Sequence, residues 1–272
     1  MAPANNPWGH IFLSHMDKAD APTFTLASLH RSGSTLLPRA RSVIYRGMWA
    51  CLPDNAKNQT QRNPKAYTSY MPTFTTDARM EKVQDLMSSA SPDLQDSCTK
   101  KQSFESSGGG GPVEAVFWIP ETSTQWRLRG RAYLVGPDIE SDAAAPVRDA
   151  LLPFMHPLDS GSGSEAYSSN WNWNRELTAH FGNLSPLMRG SFRGPPPGTP
   201  ATGPRDNGQG LGQRVTDVND AAARANFRVV VIVPEEVDRI DLSNPEEGHR
   251  WNYKLNTCAQ HAATWKETVL WP

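Results

Sequence analysis

Residues 227–242, FRVVVIVPEEVDRIDL, constrain the fold more than any other stretch. The run from Val229 to Val233 is β-branched throughout and leaves no polar face. Such a short continuous apolar run suits a strand buried on both sides. Pro234 then reads as a turn, and VDRIDL as a second short strand. Residues 124–136, TQWRLRGRAYLVG, alternate instead: Trp126, Leu128 and Gly130 lie on one face, Gln125, Arg127 and Arg129 on the other. FTLASLHR from Phe24 and RSVIYRG from Arg41 are separated by a turn at Ser32–Gly33, which predicts a hairpin. YMPTFTTD, EAVFWIP, HRWNYKL and TWKETVLWP supply further strands.

Helices are fewer. DARMEKVQDLMSSA places Met80, Val83, Leu86 and Met87 on one face, and APVRDALLPFM and NRELTAHFG are short candidates. Strands joined by hairpins and outnumbering helices predict a mainly β fold with peripheral α, a small antiparallel barrel. We expect a single domain over residues 1–272, with long loop insertions near 53–70, 91–112, 157–170 and 193–214. These loops account for a hydrophobic fraction of 38%, below the usual level of about 45–50%. The last loop, with GPPPGTP, has too little apolar surface to offset the entropy of ordering it.

Charge and motifs exclude several function classes. With 27 basic and 28 acidic side chains the net charge is −1, without the basic excess of a nucleic-acid binder. Cys51, Cys98 and Cys258 have neither metal spacing nor a disulfide framework. His30, His156, His180 and His261 show no metal spacing and no paired acid. No charged segment followed by an apolar core opens the chain, and no run approaches the roughly 18 apolar residues of a membrane span. The expectation is a soluble cytoplasmic protein without nucleic-acid or membrane partners. Neither GxGxxG nor GxxxxGK[ST] is present, so a phosphate would have to be neutralised by side chains.

PRARSVIYRGMW offers such side chains. Four strand residues, Ser42–Tyr45, lie between Arg41 and Arg46, and arginine's planar fork gives bidentate contacts to phosphate oxygens. Being five apart, the two arginines face opposite sides of a regular strand. Convergence on one phosphate requires the strand to end or bulge before Gly47. Lys82 and Arg79, at the start of the following helix, would add positive charge where a helix N-terminus already favours an anion.

Five stretches taken together, RSVIYR, FTTDARMEKVQDL, PETSTQWRLRG, LSPLMRGSFRGPPPGTP and NFRVVVIVPEEVDRIDL…HRWNYKL, resemble the pyridoxamine 5′-phosphate oxidase-like FMN-binding proteins. The resemblance is to the split-barrel flavoproteins, in particular their uncharacterised fungal and cyanobacterial branch. It implies FMN as cofactor, with Arg41, Arg46 and Lys82 on its phosphate. Thr75, Thr76 and Arg79 would assist, Gln125 would face the ring, Arg250 would sit at the N1–C2 edge, and Ser185 and Arg189 would be further partners. It also implies a homodimer with the flavin between two barrels.

Two departures bear on the reaction. Met80 stands where the family more often has serine, and Glu246 and Gly248 stand where true pyridoxamine-phosphate oxidases have an Arg-x-His pair. The expected function is an FMN-dependent oxidoreductase acting on an unassigned small molecule. The alternatives are a non-enzymatic flavin-binding or interaction module, and a genuine pyridoxamine 5′-phosphate oxidase.

Overall fold

The computed structural model describes residues 6–20, 22–89, 106–158, 170–201, 212–244, 246–256 and 263–272. Much of the expected loops at 91–112, 157–170 and 193–214 lies outside the described residues, as do Cys98, Cys258 and His261. The expected hairpin forms from β1 (Thr23–Ser32) and β2 (Thr35–Ile44), and β2 starts well before Arg41. Next come the short β3 (Tyr67–Thr68) and β4 (Thr73–Asp77). Then follow β5 (Gly108–Ile119), β6 (Thr124–Val135), the short β7 (His156–Pro157), β8 (Phe227–Asp241), β9 (His249–Asn256) and β10 (Thr264–Leu270).

One antiparallel sheet runs β10-β9-β8-β6-β5-β1-β2, with β4 also paired to β8. The chain leaving β2 closes the ring onto β4. Arg46 N donates to Thr73 O at 2.8 Å, and Thr73 N donates to Gly47 O at 2.9 Å. The first half of β8 pairs with β4 and its second half with β9. That division of one strand between two neighbours is what splits the barrel.

Strand β8 explains why its run is apolar on both faces. Val230 and Ile232 point into the barrel with Phe24, Phe74, Phe117 and Trp126. Val229, Val231 and Val233 point outward beneath a helical layer that contributes Trp173, Leu177 and Phe181. Three helices of this layer are α3 (Ala145–Leu151), α4 (Trp173–Gly182) and α6 (Ala221–Asn226). Helix α5 (Pro186–Ser191) follows α4 after a short turn. Helix α1 (Gly9–Met16), for which the sequence reading assigned no element, puts Phe12 against Phe117 and Trp126, with ring centroids 5.1 and 5.4 Å apart. Helix α2 (Glu81–Ser88) packs Val83 and Leu86 into the same core. Among the described residues, no helix is long and apolar enough to cross a membrane.

Two local expectations are corrected. Pro234 is not a turn: β8 is continuous, and the register against β6 shifts between Arg129 and Gly130, which pair with Glu236 and Pro234. The bulge leaves Glu235 as the extra residue, next to Pro234, which cannot donate to the ladder. The glycines at 108–111 are not loop but the start of β5, where Gly109 and Gly110 take φ of +98° and +99°, open only to glycine at low cost.

At the bulge, a Cβ on Gly130 would overlap the Val233 carbonyl oxygen. Gly130→Ala is therefore expected to lower unfolding stability by about 1–3 kcal/mol, the usual penalty for overpacking. A shift in denaturant midpoint at unchanged slope measures it.

Candidate functional site

Strand β2, strand β4 and the start of α2 meet at one corner of the barrel. There Arg41 donates to Ser28 Oγ at 2.6 Å and pairs with Asp85 at 3.4 Å. Asp85 is buried and also holds His30 Nδ1 at 2.7 Å, so the carboxylate positions Arg41 from behind. Lys82 Nζ lies 3.3 Å from Thr76 Oγ1 and 2.9 Å from Met80 Sδ. Burial, and next the positive charge of Arg41, push the Lys82 ammonium below its ordinary value. The two cations therefore feel one another, and no carboxylate among the described residues forms an ion pair with Lys82.

Met80 occupies the N-cap of α2 with the extended backbone of a cap (φ −76°, ψ 144°) but makes no side-chain cap hydrogen bond. A serine there would accept from a first-turn N–H. Met80→Ser is expected to raise stability by about 1 kcal/mol, visible as a higher midpoint in thermal or denaturant melts.

Arg46 is directed elsewhere. Strand β2 ends at Ile44, before Gly47 with φ of +93°. The Arg46 side chain reaches Met188 Sδ of α5 at 3.5 Å, and its Nε is buried without a hydrogen-bond partner among the described residues. It lines a cleft of about 620 Å³ together with Cys51, His180 and Asn183. Burial alone lowers the Arg46 pKa, with no contribution from Arg41 or Lys82. The structure thus brings Arg41, Lys82 and Thr76 together and turns Arg46 toward the helical layer.

Three other candidates carry structural tasks. Arg79 forks onto Asp77 at 2.9 and 2.6 Å and donates to the carbonyls of Gly194 and Phe192, tying that segment to β4. Ser185 caps α5 by accepting from Met188 N at 3.2 Å. Arg189 is buried, donates to Thr216 O at 3.1 Å and lies 5.9 Å over the Phe181 ring. Thr75, half-buried on β4, pairs in register with Val229.

Gln125 and Arg250 stand on the outer face of the sheet. Cross-strand pairing sets Trp118, Gln125, Ile240, Arg250 and Leu270 in one row. Trp118 is 51% exposed there. Arg250 and Arg127 pair with the same carboxylate, Asp238, at 3.0 and 3.2 Å. No described contact joins this row to the Arg41–Lys82 corner.

The expectation that His30 and His180 have no paired acid is overturned twice: His30 meets Asp85, as above, and a second pair lies on α4. On α4, Glu176 Oε1 lies 3.9 Å from His180 Nε2, and both side chains are buried. The i, i+4 spacing was the signal, since it puts two residues on one helical face.

Residues 5–136 match the family described as pyridoxamine 5′-phosphate oxidase, FMN-binding domain. That stretch holds Arg41, Thr76, Lys82 and Gln125 but not His180 or Arg250. Among solved structures, the chain is similar to a pyridoxamine 5′-phosphate oxidase-related, FMN-binding protein from Nostoc punctiforme. The identity is 18% and the TM-score 0.56, over 99% of this chain and 100% of that one. PhzG from Burkholderia lata, solved with tetrahydrophenazine-1-carboxylic acid, gives 13% identity and a TM-score of 0.44, over 97% of this chain and 90% of that one. General stress protein 26 from Bacillus anthracis gives 9% and 0.33, over 85% and 93%. The first likeness is one of fold, the split barrel. No curated protein matches the chain.

Proposed function

From a chain whose residues 5–136 match the pyridoxamine 5′-phosphate oxidase FMN-binding domain family, we propose an FMN-dependent oxidoreductase acting on a small molecule. The observation that carries the cofactor reading is Lys82. Among the described residues this half-buried ammonium has a hydroxyl and a sulfur as hydrogen-bond partners and no ion pair, with Asp77 acting on it only at a distance, beside a second cation and at a helix start without a side-chain cap. A desolvated cation without an ion pair is costly, and a phosphate dianion would supply one. Arg41, Lys82, Thr76 Oγ1 and the α2 N-terminus would hold it.

Gln125 and Arg250 enter this reading through dimerisation. Their outer-face row ends in exposed Trp118 at one side and Leu270 at the other. In a homodimer built on that face, the amide of Gln125, which both donates and accepts, would meet the alternating edge of a flavin held by the partner. FMN, once bound, supplies hydride and electron transfer between a donor and an acceptor. The chain's own residues orient it and exclude water.

A literal pyridoxamine-phosphate activity is disfavoured, because Glu246 is an exposed acid where that chemistry calls for a cation. The test is direct. Purified protein should show the visible absorption of flavin, or acquire it on incubation with FMN, and should sediment as a dimer. A colourless monomer that takes up no FMN rejects the proposal.

A further inference from the structure

The cleft beside Arg46 holds polar groups that the flavin reading leaves unused. His180, 1% exposed, lines it, and neither of its ring nitrogens has a hydrogen-bond partner among the described residues. The ring stacks on Trp49 at 5.6 Å and 13° between planes, which fixes its orientation. Behind it Glu176 Oε1 is also unpartnered, while Oε2 accepts from Asn63 at 2.9 Å. Nε2 faces Glu176 at 3.9 Å, so Nδ1 is the nitrogen left for a ligand. Unpartnered polar atoms are uncommon in a native interior, and two side chains that carry them, Arg46 and His180, line this one cleft, with Glu176 behind the ring.

The charges around the cleft select the ligand. Arg46 is its cation, with a buried Nε that has no partner. Asp17 and Asp54 line the same cleft, and Asp54 is already met by Arg62 at 3.5 Å. With Asp54 taken up by Arg62, one guanidinium faces one remaining carboxylate, Asp17, and a single added negative charge is tolerated better than two. Burial, then the fields of Arg62 and Arg46, hold His180 down to about 3, so at neutral pH the ring is uncharged and one nitrogen accepts.

We propose that this cleft binds a small organic monocarboxylate bearing a hydroxyl or amino group. Its carboxylate sits on Arg46 and its O–H or N–H donates to His180 Nδ1. Glu176 is a positioning residue that keeps the ring proton on Nε2. The site does not depend on flavin being held at Arg41 and Lys82, and the spectral test of the flavin reading is separate from the test of this one.

The test is calorimetric titration of the full chain with lactate, acetate and inorganic phosphate. Lactate is expected to bind roughly tenfold more tightly than acetate, the worth of about one further hydrogen bond, and phosphate more weakly than either. Arg46→Met should abolish binding of both acids. His180→Phe should keep acetate binding and erase the lactate advantage. Glu176→Gln, which preserves volume, should narrow that advantage, and it serves in place of His180→Phe if the latter melts early. Equal affinity for lactate and acetate, tighter binding of phosphate, or Arg46→Met binding both acids normally would each overturn the proposal.

Discussion

Lys82→Met is expected to weaken FMN binding by roughly tenfold to a hundredfold, the effect of losing a charge-assisted hydrogen bond worth about 1.5–3 kcal/mol. Fluorescence titration of FMN against the apoprotein measures it, and the loss should shrink as salt is raised. The same variant should melt no lower than the parent. The Lys82 ammonium is desolvated without an ion pair, and its replacement removes that cost. Arg79→Met gives the contrast. Its guanidinium is taken up by Asp77 and by the carbonyls of Phe192 and Gly194, so FMN affinity should hold while stability drops. An unchanged FMN affinity in Lys82→Met would remove the phosphate from this corner.

The second large effect is in acid. The His180 pKa falls from 6.5 to about 3 on folding, because burial disfavours the imidazolium and Arg62 and Arg46 add repulsion. Between those values the unfolded chain binds one more proton than the folded one, so stability falls as pH falls through the window. From pH 6.5 down to about 4.5 the loss amounts to roughly 2 kcal/mol. Glu176 acts in the opposite direction. Burial raises its folded pKa above 4.5, so its contribution is present at low pH and is lost as pH rises through the folded value. The contrast between parent and variant isolates the histidine. His180→Phe, which keeps a ring against Trp49, should flatten the fall in stability between pH 6.5 and 4.5, as followed by urea melts at each pH. An identical pH slope in the variant would mean that the ring is hydrated and free to ionise.

The site was partly legible in the sequence. Arg41 and Lys82 are visible because each flanks an element with its own local pattern, a short β strand and an amphipathic helix, and the structure sets them side by side. Arg46 carries the same local signal, yet its direction depends on how the chain leaves β2. Hydrogen bonds from Arg46 N to Thr73 and from Thr73 N to Gly47 close the barrel at that residue, and the side chain then falls toward α5. Pro234 misled for a related reason. A proline after a buried run reads as a turn, but Gly130 on the neighbouring strand admits a bulge, and β8 runs on.

The sequence by itself determined the alternation of β6, the two-sided burial of β8, the hairpin of β1 and β2, and the cation-rich start of α2. Periodicity, β-branching and turn residues act over a few positions, and those interactions are local. Only the tertiary structure decided which cations meet, that Asp85 is shared by His30 and Arg41, and that Gln125 and Arg250 share an outer face with the Asp238 ion pairs. It also decided that His180 lines the Arg46 cleft with Glu176 buried behind it. Burial and long-range pairing set the charge state and direction of such groups, and neither is a property of neighbouring residues in the chain.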